Sequence, residues 1–144
     1  MENNNDKTKY PTKEQIMEKE QIFKMEVIKI VKDWKETDWK FNKNLDAKQK
    51  YLSLEALALN LGIYYKKPIK VSYQPTLESC IYSPVLKTIC LNQSLSVISL
   101  LHEFAHHLLG SSEFKACRWS VWLFKKTFPK SFEQLKWKGH MLIK

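Results

Sequence analysis

An α+β fold follows from the order of patterns along the chain. Two helical stretches come first, then three short runs of strand-like residues, then two further helical stretches joined by Gly110-Ser111-Ser112. Helices and strands that fall in separate blocks pack as helices against a small sheet rather than as alternating βαβ units. The three runs lie close together, at residues 69–73, 80–83 and 88–91, so a mostly antiparallel three-stranded sheet is expected. A length of 144 residues, with 44% hydrophobic and 12% aromatic side chains, suffices for one domain with its own core.

Residues 1–11 read as a flexible tail ending at Pro11, and residues 12–144 as the single domain. Thr12 followed by Gln15 forms a capping box, from which a long helix is expected between Lys13 and about Lys40. Ile16, Phe23, Val27, Ile30 and Trp34 give that helix an apolar face. Asp46 with Gln49 marks the second helix start; Tyr51, Leu54, Ala58 and Leu61 line its buried side. Gly62 stands where a left-handed cap would end this helix.

The strand block follows, with residues 84–87 as a hairpin connection. After Asn92, the hydroxyl of Ser94 or Ser96 can cap a third helix, in which Ile98, Leu101, Ala105 and Leu108 form the apolar stripe. Gly110 closes that helix. Ser111-Ser112 caps a fourth, from Glu113 to about Thr127, which Pro129 stops. Residues 131–144 carry no decisive pattern.

Composition narrows the setting. Lys and Arg number 24 against 15 Asp and Glu, a net charge of +9. Apart from Arg118 the cations are all lysines, a pattern that suits a solvated lysine-rich surface better than a dedicated nucleic-acid site, while the basic charge is compatible with proximity to nucleic acid. Cys80, Cys90 and Cys117 are odd in number and far apart, as expected of reduced thiols in the cytoplasm. The polar N-terminus does not read as a secretory signal, and no apolar run is long enough for a membrane span.

The third helix carries the chemistry. His102-Glu103-Phe104-Ala105-His106 spells H-E-x-x-H. Histidines four residues apart share one helical face, so both imidazoles can reach one metal ion. Glu103 is rotated about 100° from its neighbour, which suits a proton acceptor for an attacking water rather than a ligand. A catalytic zinc needs a third protein ligand and an open position. Glu113 is the nearest candidate, because the turn at residues 110–112 folds its helix back against the first. Cys117, one turn later on the same face, is the competitor; packing between helices is its simpler role. His107 points away from His106, and His140 lies in the C-terminal tail.

Residues 69–129 resemble the gluzincin metallopeptidases, specifically the ImmA/IrrE type. There a strand like Ile89-Cys90-Leu91-Asn92 leads into the H-E-x-x-H helix, and a later helix carries a pattern like E-x-x-A-N-x-F-A. The counterpart here is Glu113-Phe114-Lys115-Ala116-Cys117-Arg118-Trp119-Ser120, with Cys117 in the asparagine's place. The resemblance implies Glu113 as the third zinc ligand, beside His102 and His106, and Ala116 as a point of close helix packing. Only six residues separate His106 from Glu113, a shortness similar to SprT-like minimal zinc proteases, which use a third histidine soon after the motif. Apart from His107, none stands there. The implied activity is zinc-dependent hydrolysis of peptide bonds in a protein substrate, such as a repressor or another DNA-associated protein. The competing expectation is a non-enzymatic binding module in which zinc clamps the helices and the basic surface meets nucleic acid or protein.

Overall fold

The computed structural model describes residues 10–138 and 141–143. Residues 1–9 of the expected tail, and His140, lie outside the described residues. The fold is α+β: helices, a three-stranded sheet, then the helices that carry the motif. In order, the elements are α1 (Lys13–Glu18), α2 (Met25–Trp34), a π-helical turn (Lys35–Trp39), α3 (Lys40–Asn42) and α4 (Ala47–Tyr65). The strands β1 (Lys70–Tyr73), β2 (Ile81–Ser83) and β3 (Thr88–Leu91) follow, then α5 (Val97–Leu109), α6 (Glu113–Thr127), α7 (Pro129–Gln134), β4 (Lys136–Lys138) and β5 (Met141–Ile143).

The first helix is not continuous. The capping box forms, with the Gln15 N–H donating to Thr12 Oγ1 at 3.2 Å and the Thr12 N–H to Gln15 Oε1 at 2.8 Å. The helix nevertheless stops at Glu18, because α6 claims the carbonyls that would continue it. Arg118 donates to the carbonyls of Lys19 and Glu20 at 3.1 and 3.0 Å, and Trp122 Nε1 donates to that of Ile16 at 2.9 Å. A period-3.6 pattern survives such a break, so the sequence alone shows one helix where the fold has α1 and then, after a gap, α2 continuing through the π-helical turn into α3.

Asp46 caps α4 as expected, accepting the Gln49 N–H at 3.0 Å. Gly62 does not end the helix. It lies inside α4, which runs to Tyr65, and Lys66 takes the left-handed position at φ 56°. The chain doubles back over Gly62, whose carbonyl accepts the Lys67 N–H at 2.9 Å. A Cβ at Gly62 would stand 3.0 Å from the Lys67 carbonyl oxygen, so this glycine permits close approach rather than a turn.

β3 is the central strand. β2 pairs with it antiparallel, through a turn in which Ser83 Oγ accepts the Leu86 N–H at 3.2 Å. β1 runs parallel to β3 on the other side, so residues 74–80 carry the chain across the sheet end. Ile89 and Leu91 of β3 are fully buried against the helices.

α5 and α6 form an antiparallel hairpin. Ser96 caps α5 by accepting the Ser99 N–H at 3.3 Å, and Ser112 caps α6 by accepting the Lys115 N–H at 3.2 Å. Gly110, at φ 94°, makes the reversal. Leu101 and Ala105 are fully buried as expected, whereas Ile98 and Leu108 are only half-buried. Leu100 and Phe104 complete the buried face, because both the sheet and α6 press on this helix. Phe104 stacks on Trp119 of α6, centroids 5.9 Å apart, and Ala116 is fully buried. Truncating a fully buried phenylalanine of this kind costs about 3–5 kcal/mol, so this contact contributes strongly to holding the hairpin together.

Candidate metal centre

The hairpin brings His102, His106 and Glu113 together: one ligand atom from each lies within 4.8 Å of the others, and the group can hold a metal ion. His102 and His106 sit one turn apart on α5, and Glu113 opens α6 directly opposite. His102 Nε2 is 3.4 Å from Glu113 Oε2, close to the roughly 3.3 Å that separates two ligands of a tetrahedral zinc. His106 Nε2 meets the other carboxylate oxygen, Oε1.

The tautomer of His106 follows from its neighbour. Its Nδ1 lies 2.8 Å from the Gly110 carbonyl, which can only accept, so Nδ1 carries the proton and donates. A neutral His106 therefore presents a lone pair on Nε2 to a carboxylate oxygen. Two acceptors face each other, and only a proton or a cation between them satisfies both. The surroundings favour a proton there: burial opposes charging His106, but its bonds to Glu113 and Gly110 outweigh this and raise its pKa. Burial likewise works against the Glu113 carboxylate, yet the two histidines hold it well below the ordinary carboxylate range.

Glu113 Oε2 is buried, and although His102 Nε2 lies 3.4 Å away no hydrogen bond of good geometry reaches it. A buried carboxylate oxygen left without a partner is costly. A cation shared with the two imidazoles supplies what it lacks, so the donor set fits a metal ion.

Cys117 does not join this set. Its sulfur is 3.8 Å from His102 Nδ1, the nitrogen on the far side of the ring from Nε2. Burial, reinforced by the Glu113 and Glu103 charges, pushes its thiol up to about 12. It packs with Ile16, Val121 and Trp122 behind the site.

Glu103 lines the cleft in front of the ligands and is nearly buried, at 9% exposure. Burial raises its pKa, the two histidines pull it down, and Glu113 pushes it up; the net shift is upward. His107 is a structural residue. Its Nε2 donates to the Lys67 carbonyl at 3.0 Å, which leaves Nδ1 to accept from the Tyr82 hydroxyl at 2.6 Å. The ring thereby ties α5 to the end of α4 and to β2.

The cleft holds about 400 Å³ and runs between the hairpin and β2, where Cys80, Ile81 and Tyr82 form the facing wall. Asn92 sets that geometry: its Oδ1 accepts from the Ser94 N–H and hydroxyl at 3.1 and 2.6 Å, and its Nδ2 donates to the Glu78 carbonyl at 3.0 Å. Tyr10 also lines the cleft and hydrogen-bonds the Glu113 carboxylate. No local pattern marks Tyr10, which stands at the opposite end of the sequence from the motif. A buried polar asparagine between a strand and a helix cap is the signal that could have singled out Asn92.

Compared with known proteins, the chain matches no family model, no curated protein and no solved structure. Among the described residues, no helix is long and apolar enough to cross a membrane.

Proposed function

We propose that this protein is a zinc-dependent metallopeptidase of gluzincin type, acting on a protein segment in the cytoplasm. The observation that carries the reading is a three-member ligand group with a nearly buried glutamate beside it, opening on a cleft. A closed structural site would use a fourth protein ligand. Among the described residues the candidate fourth, Cys117, faces the back of His102 instead.

Zinc held by His102, His106 and Glu113 would polarise a carbonyl and lower the pKa of a water in its open position to about 7. Glu103 then accepts a proton from the attacking water and later delivers it to the leaving amine nitrogen. Its raised pKa suits both roles, since it makes the carboxylate a better base at neutral pH. The Gly110 carbonyl holds His106 in the tautomer that offers Nε2.

β2 stands at one edge of the sheet and forms a wall of the cleft, so an extended peptide can add to it as a further strand. The exposed side chains of Ile81, Val85 and Leu86 offer apolar contact along that edge. The net charge of +9 agrees with a substrate found on DNA, such as a repressor.

The test is Glu103→Gln. Zinc content stays near one equivalent, and cleavage of a protein or peptide-library substrate falls by at least about 100-fold. Equal cleavage by this variant and the wild type would remove the general base from the scheme. A zinc-loaded wild type that cleaves no member of such a library would instead favour zinc as a clamp for a binding module.

A further inference from the structure

We infer that Tyr10 is a further catalytic residue of the cleft, its phenol donating to the substrate carbonyl oxygen as that oxygen gains negative charge. The inference rests on the peptidase reading above. Tyr10 lines the same cleft as Glu103 and the three ligand residues, and its hydroxyl hydrogen-bonds the Glu113 carboxylate. Both imidazole nitrogens approach that carboxylate, so the phenol stands at the rim of the position a metal would take.

Its placement is built into the fold. Pro11 is buried, and the Thr12–Gln15 capping box starts α1 immediately after it. Ile16, fully buried, then docks among Cys117, Val121 and Trp122 of α6, with Trp122 Nε1 donating to the Ile16 carbonyl at 2.9 Å. The helix that supplies Glu113 thus also anchors the segment that supplies Tyr10. With 47% of its surface exposed, Tyr10 can turn its hydroxyl from Glu113 toward an incoming carbonyl without disturbing the core. The other tyrosine of the cleft, Tyr82, gives its proton to His107.

The chemistry has a place for such a donor. As the water oxygen bonds to the carbonyl carbon, its proton passes to Glu103 and the carbonyl π pair moves onto the carbonyl oxygen. Glu103 has the wrong charge to stabilise that oxygen. The Tyr10 O–H can do so while keeping its proton. When the pair returns, the C–N bond breaks and the amine nitrogen takes the proton held by Glu103, so one water and one peptide bond give one carboxyl and one amine.

Tyr10→Phe keeps the ring and removes the donor. Expected are zinc content equal to wild type, a KM for a cleaved peptide changed less than about 3-fold, and kcat lowered about 100-fold. A phosphinic peptide, whose tetrahedral oxygens mimic the charged oxygen, should bind the zinc-loaded variant about 100-fold more weakly than wild type. Unchanged kcat and unchanged phosphinate affinity would overturn the assignment while leaving the peptidase reading intact, provided Glu103→Gln is inactive. A faster variant would overturn it by marking Tyr10 as a plug in the cleft. Loss of zinc would overturn it by making the tyrosine a support of Glu113. Absence of cleavage by zinc-loaded wild type would bring down the peptidase reading itself, and this inference with it.

Discussion

Two side-chain atoms are buried without a hydrogen-bond partner among the described residues, and they lie in regions of opposite character. Ser53 Oγ sits in α4, where the surroundings are the apolar core shared by α2 and α4. Its backbone carbonyl is engaged by Trp34 Nε1 at 2.8 Å, but its hydroxyl gains nothing. Glu113 Oε2 sits at the head of α6, beside two imidazoles and on an open cleft. An orphaned hydroxyl costs about 1–3 kcal/mol and can be carried by a well-packed helix pair. An orphaned carboxylate oxygen costs more, and here the groups around it are those that bind a cation. The first orphan is a packing imperfection; the second has the form of a ligand site.

The largest expected effect that tests this contrast is on Glu113. Glu113→Gln keeps the shape and removes the charge, and zinc affinity should fall by at least about 100-fold, since even an outer partner of a ligand is worth 10–100-fold. With zinc at 100 times its Kd, wild type should gain about 2.7 kcal/mol of stability, a rise of several degrees in Tm. At the same zinc concentration the variant should gain far less. A Tm in wild type that does not respond to zinc would break the comparison, because Glu113 Oε2 would then be no better matched to a cation than Ser53 Oγ.

Ser53→Ala should act in the opposite sense and more weakly. Removing a hydroxyl that has no partner, from a helix interior, should raise stability by about 1 kcal/mol. The urea midpoint should rise with an unchanged m-value and unchanged zinc affinity. A loss of stability would show that the hydroxyl is satisfied after all.

The smallest effect sharpens the α4 side of the comparison. The Tyr51 hydroxyl is satisfied, donating to the Val71 carbonyl at 2.8 Å, with Glu55 Oε2 at 3.1 Å. Burial, then the Glu55 charge, pushes its pKa from 10.0 up to about 12. The folded protein therefore holds this proton more tightly than the unfolded chain. The corresponding stability is complete below pH 10 and declines as pH rises from about 10 to 12. Tyr51→Phe should show a shallower decline between urea midpoints at pH 9 and pH 11. An identical decline would mean that the phenol titrates alike in both states.

Local signals were legible where one stretch of chain settles its own geometry. Asp46, Ser96 and Ser112 cap the helices they precede, and Gly110 makes the turn that reverses the chain. Once that turn is read, the short interval from His106 to Glu113 is what allows the carboxylate to face the imidazoles. Signals failed where a distant element decides. The helix from Lys13 breaks because Arg118 and Trp122 take its carbonyls, and Gly62 sits within α4 because the Lys67 backbone folds over it.

The sequence by itself determined the α+β order, the helical hairpin and the pairing of His102 with His106 on one face, with Glu113 and Cys117 as candidates for a third ligand, since periodicity, caps and spacing act within a few residues. Only the tertiary structure decided that Cys117 lies behind His102, that His107 is spent on Tyr82 and Lys67, and that Tyr10 reaches the cleft. Those outcomes depend on which surfaces the packed helices press together, and no local pattern encodes a contact between residues so far apart along the chain.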